Sequence, residues 1–437
     1  LIHDWRAPIS SLFYDWEPGD VSFESPSGTI HGRMSLKRQY RLEGGQLVLM
    51  FDAGLAIHDE MLQDILAGAT GGHMRQIVST IQKEQNRAIR FEDTRVLAVQ
   101  GAAGSGKTAI AMHRAAYLLY RHRQTIKPEN LVILSPNTLL GEYVADVLPE
   151  LGEERIAGIP FGAIAADVPG LSGYDLETAA EQMETVLSHS DPLLLARMAQ
   201  KTSPEFLALL ESFVSQLSTH YAFPDLLFED QVVVSGKDLT ALYTEDFRHM
   251  GIGRRLERIR LRTQETLNSL EKGRMAKKAE DLESDDPHLG HREARALGRT
   301  SARQEFQRLH QELDRLTLLQ PIELYRQLLT IALEPQDAEA TLQSLAGGRV
   351  PYEDLAPIMF VSLACSLHEP DTKVRHVLVD EAQDFTRIQY AALRMMYPRA
   401  GFTLLGDENQ NIQTESAIGS LEKAAEILDA KSHACIR

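Results

Sequence analysis

The chain has 437 residues, of which 43% are hydrophobic and 24% are charged. This composition excludes disordered, collagen-like and low-complexity chains. Two cysteines cannot build a disulfide framework or a four-cysteine zinc site, and they favour a reducing compartment, so we expect a cytoplasmic protein. The net charge of −17 is unfavourable for a general binder of nucleic acid but does not exclude a local basic surface. No apolar run reaches the roughly 18 residues of a membrane span, so we expect no membrane contact.

Residues 1–75 predict a β-rich N-terminal segment. Lys37–Leu42 and Gln46–Phe51 flank Gly44 and Gly45, which is a pattern typical of a hairpin. The chain starts at Leu1 rather than at a methionine, so we expect it to be a fragment of a longer protein.

Residues 76–154 and 352–437 alternate between short apolar strands and helices. This alternation predicts two parts of one α/β domain, with a parallel sheet and flanking helices. The predicted strands and helices are Val96–Val99, Ala109–Tyr120, Leu131–Leu134, Asp354–Leu367, His376–Val379 and Phe402–Leu405.

Residues 155–351 separate these two parts and predict a helical insertion. Arg254–Glu283 and His291–Leu318 are long, charged and nearly free of proline and glycine, which favours a helical hairpin over about 250–318. Residues 251–280 carry nine basic against four acidic residues. They predict either a contact with nucleic acid or a solvated helix with internal ion pairs.

Gly101 to Thr108 reads GAAGSGKT and fits the phosphate-binding pattern G-x-x-x-x-G-K-[ST] between a strand and a helix. Glycines allow backbone N–H groups to turn towards phosphate oxygens, and the helix N-terminus adds partial positive charge. We expect Lys107 to reach the β and γ phosphates and Thr108 to bind Mg²⁺. The predicted nucleotide-binding residues of this loop are Gly101, Ala102, Ala103, Gly104, Ser105, Gly106, Lys107 and Thr108.

Asp380 and Glu381 directly follow the predicted strand His376–Val379. A P-loop ATPase needs a carboxylate at a strand end to hold Mg²⁺ and a second group to orient water. We therefore assign Asp380 to the metal, together with Thr108, and Glu381 to the attacking water. The expected cofactors are ATP and Mg²⁺.

Gly406–Gln410, with the sequence GDENQ, follows the strand Phe402–Leu405. An amide at the end of a neighbouring strand can contact the γ-phosphate, and we assign this role to Gln410. The alternative for this stretch is an ordinary polar loop.

In this order, Gly101–Thr108, the sequence DEAQD at 380–384 and Gly406–Gln410 resemble motifs I, II and III of superfamily 1 helicases of the UvrD/Rep group. Gln85, in EQNRAI, is similar to the glutamine that reads adenine in that group. The resemblance implies a RecA-like P-loop NTPase domain that the helical insertion interrupts. It also implies that Lys107, Glu381 and Gln410 are catalytic.

Four further stretches resemble the HelD family, whose members are ATP-driven motors that bind bacterial RNA polymerase and release stalled complexes. These stretches are HDWRAP at 3–8, TIQKEQ at 80–85, RAAYLLY at 114–120 and VLPELG at 147–152. The family also carries a large helical insertion in its first RecA-like domain. The resemblance therefore implies RNA polymerase as a partner.

Residues 411–416 and 135–137 contain no aromatic side chain that could stack on a base, which favours polymerase binding over processive DNA unwinding. The chain also ends at Arg437, before motif IV of the resembled group, so we expect the fragment alone to bind ATP weakly and hydrolyse it slowly. Two alternatives stay open. One is a UvrD/Rep-like DNA helicase or translocase of repair, which would bind DNA or other nucleic acid, and the other is a nucleotide-gated binding module without motor activity.

Overall fold

A computed structural model shows an α/β protein with a large, mainly helical extension. The structure describes residues 1–25, 27–43, 45–52, 84–102, 104–136, 141–142, 145, 148–149, 153–188, 192–285, 288–410, 418–429 and 431–436. Within these ranges, none of the helices combines the length and the apolar character needed to cross a membrane. The strands, β1 to β14 in chain order, are Gly19–Ser25, Gly28–Met34, Arg38–Glu43, Gln46–Asp52, Val96–Gln100, Leu131–Leu134, Gly158–Ile159, Asp175–Leu176, Leu226–Phe228, Gln231–Val234, Arg349–Val350, His376–Val379, Gly401–Gly406 and His433–Ile436.

Helices α1 to α15 surround these strands or form the extension. They are, in chain order, Ser11–Asp15, 84–90, Lys107–Arg121, Phe161–Ala166, Ala179–Ser188, Pro192–Thr202, Pro204–Thr219, Gly236–Ala241, Ile252–Asp285, His291–Thr317, Pro321–Ala332, Pro335–Ala346, Tyr352–Ala364, Arg387–Met396 and Leu421–Leu428. Short 3₁₀ turns follow β12 and β13, at Ala382–Asp384 and Glu408–Gln410.

The centre of the molecule is a six-stranded parallel sheet in the order β14-β5-β13-β12-β6-β7. Its inner strands are almost completely buried, which explains why they read as continuous apolar runs. The α/β fold with a parallel sheet and flanking helices is thus confirmed. The four predicted strands correspond to β5, β6, β12 and β13.

Strand β7 lies within the range that the sequence analysis gave to the insertion. Gly158 and Ile159 pair with Ile133 and Leu134 of β6, so they extend the central sheet. Gly158 also lies so close to Gly141 that a Cβ atom on Gly158 would be 2.7 Å from the Cα atom of Gly141. We therefore propose that the sheet domain continues to Ile159 and that the insertion begins after it.

The N-terminal residues form two separate antiparallel hairpins. In the first hairpin, Gly19 of β1 pairs with Met34 of β2, and the pairing continues to Ser25 with Gly28. In the second hairpin, Arg38 of β3 pairs with Asp52 of β4, and the pairing continues to Glu43 with Gln46. The second pair confirms the predicted hairpin. Residues 53–83, which include the stretch 80–83 that resembles the HelD family, lie outside the described residues.

The insertion contains α4 to α12 and two small two-stranded sheets, β8–β11 and β9–β10. Its longest helices, α9 and α10, form an antiparallel pair within residues 250–318, the range for which the sequence predicts a helical hairpin. The 34 residues of α9 correspond to a length of about 50 Å. Apolar side chains from both helices and from β9 form one cluster, which consists of Leu226, Leu267, Phe306, Leu309 and Leu313.

Several basic residues of α9 are bound within the protein. Arg274 and Lys278 both form ion pairs with Glu305 of α10. Arg255 is buried and donates to the carbonyl oxygens of Met250, Ser218 and Arg248. Of the two interpretations of this basic stretch, the contacts favour internal pairing.

A buried ionic cluster joins the insertion to the sheet domain. Lys201 of α6 is fully buried, and its ammonium lies 2.7 Å from Asp354 and 3.5 Å from Glu353 at the start of α13. The hydroxyl of Tyr325 in α11 donates to Asp354, and the side-chain amide of Gln182 in α5 donates to Glu353. Burial raises the pKa of Asp354, and the neighbouring Lys201 opposes this shift. The four helices meet at this cluster.

The first turn of α9 is fastened to the end of α13. The backbone N–H of Gly253 donates to the carbonyl of Cys365 at 2.7 Å. A Cβ atom on Gly253 would lie 2.5 Å from the carbonyl oxygen of Ser366, so only glycine allows this approach. Ser366 itself has a φ of 56°, which a non-glycine residue rarely adopts. The base of the hairpin is thus held by backbone contacts.

We expect Gly253→Ala and Gly273→Ala to change stability in opposite directions. The first places a methyl group against backbone and should destabilise by about 1–3 kcal/mol. The second lies in the same helix with nothing within 4 Å, so the better helix former should stabilise by about 0.5–1 kcal/mol. Thermal unfolding, followed by circular dichroism, measures both shifts. Equal midpoints for the two variants would show that α9 is not anchored at Gly253.

Candidate functional site

The loop between β5 and α3 has the backbone conformation of a phosphate-binding turn. Gly104 and Gly106 have φ values of 74° and 81°, which favour glycine. A Cβ atom on Gly101 would lie 2.4 Å from the hydroxyl oxygen of Ser105, so a larger residue here would displace that side chain. Helix α3 then begins at Lys107, which places the positive end of its dipole at the loop. Backbone N–H groups and dipole together make this turn suited to an anion.

Lys107 lies inside the turn. Its ammonium donates to the carbonyl oxygens of Gly101 at 3.0 Å and of Ala102 at 3.2 Å, and the residue is 8% exposed. The charge of Lys107 also acts on Asp380 and Asp407, whose pKa values it lowers as a minor contribution. The positive charge of Lys107 therefore acts on the acidic residues that follow both β12 and β13.

Thr108 and Asp380 meet although they are far apart in sequence. The Thr108 hydroxyl donates to Oδ2 of Asp380 at 2.9 Å, and the backbone N–H of Glu381 donates to Oδ1 at 3.0 Å. Burial raises the pKa of the Asp380 carboxyl, while these two hydrogen bonds lower it. A hydroxyl and a carboxylate in contact are a pair of oxygen ligands of the kind that Mg²⁺ takes in nucleotide sites.

Glu381 lies directly after Asp380 with a φ of 47°. Its Oε2 accepts a hydrogen bond from the side-chain amide of Gln383 at 2.8 Å. The carbonyl oxygen of that same amide accepts from the backbone N–H of Asp407 at 3.0 Å. Gln383 is buried, and a Cβ atom on Gly406 would lie 2.5 Å from its carbonyl oxygen. One glutamine thus links the strand ends of β12 and β13.

The turn after β13 folds around Asp407. Its carboxylate accepts from the backbone N–H of Asn409 at 3.1 Å and from the side-chain amide of Gln410 at 2.5 Å. Gln410 is exposed, and its own amide is held at Asp407. The carbonyl of Gly406 accepts from the N–H of Gly101 at 3.1 Å, which ties this turn to the start of the phosphate-binding loop.

Gln85 approaches the same loop from helix α2. Its side-chain amide donates to the carbonyl oxygen of Ser105 at 2.9 Å. Its nitrogen also lies 3.2 Å from the position that a Cβ atom on Gly106 would take. Gln85 therefore packs on the loop itself.

The structure brings most of the predicted site residues together at one edge of the sheet. Gly101, Ala102, Gly104, Ser105, Gly106, Lys107 and Thr108 form the loop and the first turn of α3, and Gln85, Asp380, Glu381 and Gln410 surround it. Ala103 and the aromatic-free stretch 411–416 lie outside the described residues. No direct hydrogen bond joins Gln410 to Lys107 or Glu381 among the described contacts, and its link to Glu381 runs through Asp407 and Gln383.

Gln383 lies within the stretch that resembles motif II, but no role of its own was predicted for it. The available signal was its place in DEAQD, directly after an apolar strand, and the structure buries it in the turn Ala382–Asp384. A buried amide needs partners for both its donor and its acceptor. Gln383 finds them at Glu381 and Asp407.

The residues present fit a nucleoside triphosphate with Mg²⁺. The Ser105 hydroxyl and the Gln100 side-chain carbonyl are buried next to the loop without a hydrogen-bond partner among the described residues. Nowhere in the described part of the chain do three or more His, Cys, Asp or Glu side chains form a metal-binding group. Mg²⁺ at nucleotide sites commonly uses one or two protein oxygens, with water and phosphate as its other ligands, and Thr108 and Asp380 match that requirement.

Comparison with known proteins identifies two matching families. The family described as UvrD/REP helicase N-terminal domain matches residues 81–137 and 180–414. The family described as DNA helicase IV HelD, N-terminal domain, matches residues 1–65. A search among curated proteins gave no match. Because the first match covers well over half of the chain, the protein belongs to the UvrD/REP helicase family, and its N-terminal residues are of the HelD type.

Proposed function

We propose that the protein is an ATP-dependent motor of the HelD type, which binds RNA polymerase and uses ATP to remodel or release stalled complexes. The observation that carries its ATPase part is the meeting of three chain segments at one sheet edge. These are the phosphate-binding loop, Asp380 with Glu381, and the turn Asp407–Gln410. Superfamily 1 helicases in general use ATP with Mg²⁺, and the geometry supports that use here.

The loop and the first turn of α3 bind the phosphates. Backbone N–H groups around Gly104 and Gly106 donate to phosphate oxygens, and Lys107 neutralises phosphate charge. Thr108 and Asp380 would supply oxygen ligands to Mg²⁺. Bound Mg²⁺ stabilises negative charge that develops on the phosphate oxygens.

Glu381 orients the water that attacks the γ-phosphate. An acid in this role must keep a fixed direction, because a small misplacement costs much of the rate. The amide of Gln383 fixes the Glu381 carboxylate from one side. Because Gln383 also binds the backbone of Asp407, the position of Glu381 depends on the turn that carries Gln410. Gln410 senses the γ-phosphate and transmits its presence along this path.

Gln85 selects adenine. Its amide lies at the carbonyl of Ser105, so the group that would read the base is fixed relative to the phosphate-binding loop. The base and the phosphates are then bound by Gln85 and the phosphate-binding loop, which this hydrogen bond connects.

RNA polymerase is the proposed partner because of the HelD-type N-terminal residues. The contacts of α9 agree with a protein partner better than with DNA, since Arg255, Arg274 and Lys278 already have partners within the chain.

Affinity capture of the full-length protein from an extract of its own cells should retain RNA polymerase. In a second measurement, single-stranded DNA should stimulate ATP hydrolysis less than RNA polymerase does. Failure to retain RNA polymerase, together with stronger stimulation of ATP hydrolysis by single-stranded DNA, would support a DNA translocase instead.

Lys107→Ala should remove nucleotide binding. The substitution deletes the cation that offsets phosphate charge, and the loss of one such group commonly costs about 100-fold or more in turnover. Binding of a fluorescent ATP analogue and ATP hydrolysis by the full-length protein measure the effect. Lys127→Ala is the control, because Lys127 is exposed just before β6, at the opposite edge of the sheet. Equal binding by the two variants would show that the nucleotide site lies elsewhere.

Gln383→Ala should separate binding from hydrolysis. Glu381 loses the donor that fixes it, so turnover should fall by roughly 10- to 100-fold while ATP affinity changes little. Gln383→Met is the matched variant, since it keeps the length of the side chain but removes the donor to Glu381. Single-turnover hydrolysis and analogue binding report the two steps. Normal turnover in Gln383→Met would exclude a role for the contact with Glu381.

A further inference from the structure

Helix α2, which carries Gln85, is held by the N-terminal segment of the chain. Asn86, the neighbour of Gln85, is buried, and its amide donates to Asp15 at 3.1 Å. At the other end of the helix, Arg90 donates to the carbonyl oxygen of Trp5 at 2.6 Å. Both contacts join residues that are more than 70 positions apart in sequence.

Arg90 is the centre of this junction. Its Nε donates to Oδ1 of Asn86 at 3.0 Å, so the same guanidinium binds both the helix and the N-terminal segment. The guanidinium carbon also lies 5.8 Å from the ring centre of Tyr14 and 5.5 Å from that of Tyr117 in α3. Arginine provides this arrangement because its planar fork donates in several directions and stacks on aromatic rings.

The N-terminal segment is in turn fastened to α3, the helix that begins at Lys107. The ring of Trp5 lies 5.3 Å from that of His113 in an edge-to-face arrangement. Arg6 forms ion pairs with Asp4 and Glu153, and its guanidinium carbon lies 4.6 Å from the ring centre of Tyr120. The segment therefore offers α2 a support that is fixed to the phosphate-binding helix.

A second arginine secures α2 from the opposite direction. Arg114 of α3 is buried and donates to the carbonyl oxygens of Ala88 and Ile89, at the end of α2, and to the hydroxyl of Thr403 in β13. Arg114 thus fixes the end of the helix against the sheet. The described contacts of Arg114 do not involve Asn86, so we assign the orientation of residues 84–87 to Arg90 and its partners.

We propose that Arg90 is a positioning residue that holds Gln85 against the phosphate-binding loop and thereby sets the affinity for adenine nucleotides. It acts through Asn86 and through the N-terminal residues 4–15. The proposal rests on the proposed ATP site and adds that the HelD-type segment is part of the machinery that reads the base. A change in the N-terminal segment should therefore alter nucleotide affinity.

A double-mutant cycle in the full-length protein tests this inference. Arg90→Lys keeps the charge but removes the fork, and Gln85→Ala removes the proposed adenine-reading group. Fluorescent analogues of ATP and GTP measure binding, and thermal unfolding verifies that each variant is folded. Arg87→Lys is the control, because Arg87 is exposed on the same helix.

We expect Arg90→Lys to weaken binding of the ATP analogue by about 3- to 10-fold, with little change for the GTP analogue. In the Gln85→Ala background, Arg90→Lys should have almost no further effect, because the group that it positions is gone. Asp15→Ala, which removes the partner of Asn86, should reproduce the loss in smaller measure.

Equal losses for the ATP and GTP analogues, or the same loss with and without Gln85, would overturn the positioning role. A loss as large in Arg87→Lys would also overturn it. If the unsubstituted protein bound neither analogue, the proposed ATP site would fail, and this inference with it. The two failures are therefore distinguishable.

Discussion

Parallel pairing of β5, β13 and β12 is the constraint on which the site depends. Gly406 pairs with Gln100, and Val379 pairs with Leu404, so the three strands end within about two residues of one another. Loops that leave neighbouring parallel strands at their carboxyl ends meet at one edge of the sheet. Chain segments separated by hundreds of positions consequently contribute to one site, and every functional side chain discussed above projects from this edge or packs against it.

Much of the sheet and of the loop could be predicted from the sequence. Buried parallel strands such as His376–Val379 leave a clear apolar signal, and the phosphate-binding loop requires glycines at fixed positions. The two-residue strand Gly158–Ile159 leaves no such signal, because it is too short to show a period. The contacts of Gln383, Arg90 and Lys201 could not be predicted either. Their partners are set by tertiary packing, and nothing in the neighbouring sequence indicates which distant carbonyl or carboxylate a polar side chain will find.

The helical hairpin shows how a count of charges can mislead when it is made on one helix alone. The basic excess of residues 251–280 suggested a surface for phosphate groups, yet the neighbouring α10 supplies Glu305 to two of those charges. Backbone carbonyl oxygens bind Arg255, which is buried. Charges that suggest an interaction surface when α9 is considered alone thus partly hold α9 and α10 together.

The buried cluster of Lys201, Asp354 and Glu353 has a consequence for how the two parts of the protein can be separated. Its cation comes from the insertion, and both anions come from the helix that leads into β12. An insertion excised by genetic engineering would keep the ammonium without its counter-ions, and the trimmed sheet domain would keep two carboxylates without theirs. A chimaera that exchanges this insertion for another must transfer the lysine or remove the acids, since neither half is electrostatically self-sufficient.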